Sequence, residues 1–71
     1  MILTIGEKVT ILLKRQDMSL AQLAEKMGIS RQNLSNKMSR DNFTEQDARQ
    51  IAVALGTEFN TIFRYPDGTE I

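Results

Sequence analysis

The run from Ser19 to Met38, SLAQLAEKMGISRQNLSNKM, constrains this chain more than any other stretch. Leu20, Leu23, Ala24 and Met27 fall on the i, i+3, i+4, i+7 stripe of a half-buried helix. Gly28 follows the stripe directly, at the position where a helix commonly ends on a left-handed residue that glycine tolerates best. Ser30 then offers a cap for a new helix running from Arg31 to about Met38, with Leu34 and Met38 turned inward. Two helices joined by so short a turn cannot lie side by side, so they must cross steeply. The second helix is left with a face of Arg31, Gln32, Ser35, Asn36 and Lys37 that carries nothing apolar. Ala24 suits a close crossing because it is small, although an ordinary helix-favouring alanine explains it equally well.

The flanking sequence continues the helical theme. Thr4 with Glu7 has the form of a capping box, predicting a helix from about Ile5 to Gln16 whose buried stripe is Ile5, Val9, Leu12 and Leu13. Ser19 with Gln22 is a second box, opening the helix Leu20 to Met27. Ser39 to Asn42 is polar and reads as a loop. Thr44 to Asp47 opens a last helix that continues to Leu55, with Ala48, Ile51, Ala52 and Leu55 inward, Phe43 as a staple before the cap and Gly56 as the stop. Met1 to Leu3 are apolar and suit either a staple or a short strand.

From residue 58 the character changes. Tyr65-Pro66-Asp67-Gly68-Thr69 suits a type I turn closed by a left-handed glycine, a common three-residue hairpin loop. That register sets Arg64 opposite Glu70 and Phe63 opposite Ile71. A lone two-stranded hairpin is marginal in water, so it calls for packing or a partner strand.

Seventy-one residues suggest one domain with a thin core, since a chain this short buries only about 60% of its unfolded surface. The expected division is 1–57 for the helices and 58–71 for a C-terminal strand or hairpin of the same domain. With no cysteine, disulfides are excluded, and with no histidine either, ordinary zinc sites are nearly excluded. No Gly-rich phosphate loop is present, and the carboxylates are scattered over polar helix faces. Ser19 and Ser30 are better explained as caps than as nucleophiles, and Met18, Met27 and Met38 as core filler. No catalytic residue, metal, cofactor or small-molecule substrate is therefore expected. No run approaches a membrane span, and Met1 to Leu13 lacks a signal peptide's basic start, so a cytoplasmic protein is expected.

The formal net charge is zero, yet it is unevenly spread. Residues 1–42 hold seven Lys/Arg against four Asp/Glu, and residues 43–71 hold two against five, giving +3 and −3. Screening over about 8 to 10 Å lets the positive half act on its own surroundings.

The central stretch resembles the helix-turn-helix of the Cro-and-repressor (XRE-type) family of DNA-binding proteins, in the manner of a small phage- or mobile-element-type regulator. Gln22-Leu23-Ala24, Gly28-Ile29, Ser30 and Leu34-Ser35 carry the likeness, and it extends more loosely from about Ile5 to Leu55. The sequence departs from the pattern at Leu20, where many relatives have a phosphate-touching glutamine, and after the second helix, where an acidic residue and a glycine are replaced by Met38-Ser39-Arg40. The resemblance implies a mainly α, four- to five-helix lambda-repressor-like domain with a short C-terminal β-hairpin. It also implies double-stranded DNA as partner, with base contacts from Arg31, Gln32, Ser35 and Asn36.

Those residue types suit the task. Arginine matches guanine O6/N7, and Gln or Asn matches adenine N6/N7. Asn33, Lys37 and Arg40 are candidates for phosphate contacts. One recognition helix reads too few base pairs, so a homodimer on a two-fold operator is expected, with half-sites about 34 Å apart. Phe59, Ile62, Phe63, Tyr65 and Ile71 are the candidate dimerisation residues. The expected function is transcriptional repression by occupancy of an operator. The competing expectation, favoured by zero net charge and an acidic tail, is a protein-interaction module (antirepressor or antitoxin-like) that keeps the fold without binding DNA.

Overall fold

The computed structural model describes residues 3–71, so the staple or strand expected at Met1 and Ile2 lies outside the described residues. Four helices follow one another: α1 Ile5–Arg15, α2 Leu20–Met27, α3 Arg31–Arg40 and α4 Glu45–Leu55. Each starts where a hydroxyl can satisfy an orphan N–H. Thr4, Ser19, Ser30 and Thr44 are the N-caps, and full reciprocal capping boxes form at Thr4/Glu7, Ser19/Gln22 and Thr44/Asp47.

The core is the set of inward stripes. Val9, Leu13, Leu23, Ala24, Leu34, Ile51 and Leu55 form one buried cluster, with Leu23 and Leu34 fully enclosed. Met18, Met27 and Met38 pack against it half-buried, as filler. Ile5 and Leu12, expected inside, are only half-buried on the flank of α1. Gln16 ends α1 and donates from Nε2 to the Leu55 carbonyl at 2.8 Å, tying the ends of α1 and α4 together.

Two expectations are corrected. α3 does not stop at Met38: Ser39 and Arg40 are helical, and the left-handed residue that ends the helix is Asp41, at φ 49°. Its N–H reaches back to the Lys37 and Met38 carbonyls, while its carboxylate accepts from the Gly6 N–H of α1 at 2.9 Å. An aspartate tolerates that backbone better than most residues, and the bond to α1 holds it there. The helix therefore runs on until Asp41 can close it.

The second correction concerns the tail. Its turn forms as expected: Gly68 sits at φ 95° and donates to the Tyr65 carbonyl at 2.9 Å, and Tyr65 donates to the Thr69 carbonyl at 2.8 Å. Phe63 and Ile71 exchange both backbone bonds at 2.8 Å, and Arg64 bridges Glu70. Yet only this isolated antiparallel bridge is made, and no strand forms among the described residues. Pairing stops because the segment before it leaves for the body of the domain. Phe59 is half-buried in a groove with Ile5, Val9, Ile51 and Ala52, and Thr61 reaches Glu45 of α4 at 3.5 Å. The loop beyond stands clear, and residues 60–71 are all exposed.

Candidate nucleic-acid interface

The interface is built from the turn outward. Gly28 takes φ 73°, ψ 26°, and its N–H closes α2 on the Ala24 and Glu25 carbonyls. Ile29 then donates to the Ala24 carbonyl at 3.1 Å, and Ser30 starts α3 by accepting from the Asn33 N–H at 3.0 Å. Only Gly28 and Ile29 separate the end of α2 from the cap of α3, so the chain must swing sharply. Ala24, 1% exposed, lies in the packed core beneath this turn.

Leu34, at 0% exposure, pins α3 to the core. Much of the rest of the helix is open to solvent. Arg31, Gln32, Asn33, Asn36 and Arg40 are exposed, while Ser35 is half-buried. Residues 31–40 contain three cations and no carboxylate, so this face is locally positive in a chain of zero net charge.

Gln32 and Asn36 are brought together, with Nε2 of the first donating to Oδ1 of the second at 3.1 Å. Each amide keeps hydrogen-bonding capacity after that bond. Gln32 retains its oxygen and one N–H, the pair that suits adenine, and Asn36 retains its two N–H donors. The contact also restrains two side chains that would otherwise lose rotamer freedom on binding.

Lys37 stands apart from the other candidates. Its Nζ lies 3.0 Å from Asp47 Oδ2, and the two side chains are 27% and 16% exposed. The same carboxylate oxygen accepts from the Thr44 N–H at 3.0 Å, so Asp47 both caps α4 and holds α3. The Thr44 N–H, with the Lys37 ammonium beside it, keeps the Asp47 carboxyl below its ordinary value of 3.8. A carboxylate that binds protons more weakly when folded adds stability above its unfolded value and loses it as pH falls. The contribution is expected to be complete above about pH 5 and to disappear through and below pH 4. Asp67, held down mainly by the Thr69 N–H, acts in the same direction. Thermal melts at stepped pH check this: Asp47→Asn should flatten part of the acid loss, and an unchanged profile would refute it.

The sequence pointed to the face of α3 but missed the two ties at its far end, Asp41 to Gly6 and Lys37 to Asp47. One signal was available. A glycine in the first turn of a helix costs about 1 kcal/mol against alanine, so Gly6 marks a close approach. A Cβ added there would meet Asp41 Oδ1 at 3.1 Å.

Among the described residues, no group of His, Cys, Asp and Glu is placed to hold a metal ion, and no helix is long and apolar enough to cross a membrane. No curated protein and no solved structure matches the chain. The sequence of residues 7–70, from the first turn of α1 through α4 into the tail, does match a known family. With nearly the whole chain matched, the chain belongs to the winged helix-turn-helix DNA-binding family.

Proposed function

We propose that this chain is a sequence-specific transcriptional regulator of the Cro/XRE kind, a repressor that lays α3 in the major groove of a two-fold operator as a homodimer. The observation that carries the proposal is the outward face of α3, where Arg31, Gln32 and Asn36 are exposed above a wholly buried Leu34. A rigid helix with that face fits a groove whose base edges differ in donors and acceptors. Repression then follows from occupancy alone, in the cytoplasm where the DNA lies, with no catalytic step and no cofactor. The narrower kinship with Cro-type regulators rests on Gln22-Leu23-Ala24, Gly28 and Leu34-Ser35.

In this reading Arg31 and Gln32 enter the groove first, Asn36 and Ser35 follow one turn later, and Asn33 and Arg40 touch phosphates. Lys37 reaches a phosphate only by leaving Asp47, so Arg40 takes the larger share of the backbone contact. Operator selection from random DNA, followed by titrations at several salt concentrations, tests the proposal. Arg31→Ala should cost about 1–3 kcal/mol at one base position and relax preference there. Arg40→Ala should weaken all sequences alike and reduce the salt slope by about one. If neither substitution changes DNA retention, α3 faces a protein instead, as an antirepressor or antitoxin-like module would.

A further inference from the structure

Of the three cations on α3, Arg31 and Arg40 are exposed and make no ion pair among the described residues, whereas Lys37 is held by a carboxylate. Lys37 is also the middle member of a row. Asn33, Lys37 and Arg40 are spaced four and three apart, so they line one flank of the helix. Asn33 and Arg40 are exposed, and both carry donors that suit a phosphate oxygen. The ammonium between them sits instead 3.0 Å from Asp47 Oδ2.

Asp47 cannot follow Lys37 away from α4. Its Oδ2 also accepts from the Thr44 N–H at 3.0 Å, and its own N–H donates to Thr44 Oγ1 at 3.0 Å. Lysine is the movable partner, a compact charge on a flexible four-carbon stem, and here its side chain is 27% exposed. When Lys37 leaves, the Asp47 carboxylate keeps the Thr44 N–H, so its charge is not left bare.

We infer that Asp47 sets the affinity of the chain for DNA by holding Lys37 in the place of a backbone phosphate. The inference rests on the DNA-binding reading above and adds to it a residue that touches no DNA itself. In the free chain the ammonium already has an anionic partner, so binding DNA replaces one anion with another. Counterion release strengthens binding only through cations that neutralise phosphates, and Lys37 on Asp47 is kept from doing so. A carboxylate that merely braced α3 against α4 would act in the opposite direction, because its loss would loosen the helix that enters the groove.

Full-length Asp47→Asn removes the charge and keeps an amide oxygen for the Thr44 N–H, and Asp47→Gln places there a residue that capping boxes use. Phosphate contacts carry no sequence information, so a mixed-sequence duplex serves as the probe. Both variants lose a negative charge at a helix N-terminus and should melt below the native chain. Both should nevertheless bind the duplex more tightly per folded molecule. One further neutralised phosphate steepens the salt slope by about 0.9, so the advantage should grow about 3.5-fold as salt falls from about 200 to about 50 mM. In a Lys37→Gln background the gain should vanish, since no ammonium is there to be freed. Tightening that persists with Lys37→Gln would mean that Asp47 acts by repelling phosphates. Affinity that stays level, or falls along with stability, would mean that it only braces α3. Either result overturns the inference and leaves DNA binding standing. If the native chain and both Asp47 variants ignore the duplex even at the lowest salt, the inference falls together with the DNA-binding reading.

Discussion

Replacing Leu34 with alanine is expected to cost about 2–5 kcal/mol of unfolding free energy, the largest stability loss of any single truncation of α3. Leu34 and Leu23 are the two largest side chains sealed completely from solvent, at 0% exposure. Leu34 packs in the same buried cluster as Leu23, Ala24 and Ile51, so its removal opens a cavity beneath α3, which packs on α2 and α1. The loss combines the transfer free energy of the missing carbons with the contacts their neighbours forfeit. A domain of this size has little to spare, because total stability runs at about 0.05–0.15 kcal/mol per residue. Urea titration or calorimetry should therefore place Leu34→Ala close to its unfolding midpoint at room temperature. Val53→Ala, at a residue 80% exposed on α4, should stay within about 0.5 kcal/mol of the native chain. A Leu34→Ala variant as stable as Val53→Ala would mean that α3 is not anchored through this residue. The proposed recognition face would then lack the rigid base that the proposed reading of DNA needs.

What the sequence revealed and what it hid divide along a physical line. Ser30 three residues before Asn33, or Thr44 three before Asp47, announces a helix start because cap and capped N–H are neighbours in the chain. Gly28 and Gly56 announce the ends of α2 and α4 for the same reason: the left-handed backbone, at φ 73° and 69°, is a property of one residue. The outward face of α3 was legible because Leu34 fixes which side of a regular helix must be buried. The end of α3 was not, because Asp41 is joined to Gly6 across 35 positions and no local pattern encodes that bond. Lys37 looked like a free phosphate ligand until Asp47, read only as a capping residue, proved to hold it. In the tail, Pro66-Asp67-Gly68 specified the turn and even the pairing of Arg64 with Glu70. Strand length was beyond reach of the sequence, since it depends on what lies beside an edge rather than on the residues in it.

The clasp between Asp41 and Gly6 should separate three substitutions by mechanism. Asp41 does two things at once: it occupies a left-handed backbone at φ 49°, and its Oδ1 satisfies a first-turn N–H of α1 at 2.9 Å. Asp41→Asn keeps the acceptor and tolerates the backbone, losing only the attraction of a negative charge to a helix N-terminus, about 0.3–1 kcal/mol. Asp41→Gly relaxes the backbone but leaves the part-buried Gly6 N–H without its partner, a penalty of about 1–3 kcal/mol. Asp41→Ala loses the bond and must also hold a Cβ in the left-handed region, which adds about 1–2 kcal/mol. Stability should fall in the order native, Asn, Gly, Ala by thermal melting, with Ala lowest by several kcal/mol. Because the clasp ties the C-terminal end of α3 to α1, DNA affinity per folded molecule should follow the same order if α3 is the reading helix proposed above, while Val53→Ala leaves it unchanged. Equal losses for Gly and Ala would show that the backbone conformation of Asp41 carries no cost. An alanine variant as stable as the asparagine one would show that the bond to Gly6 holds nothing in place.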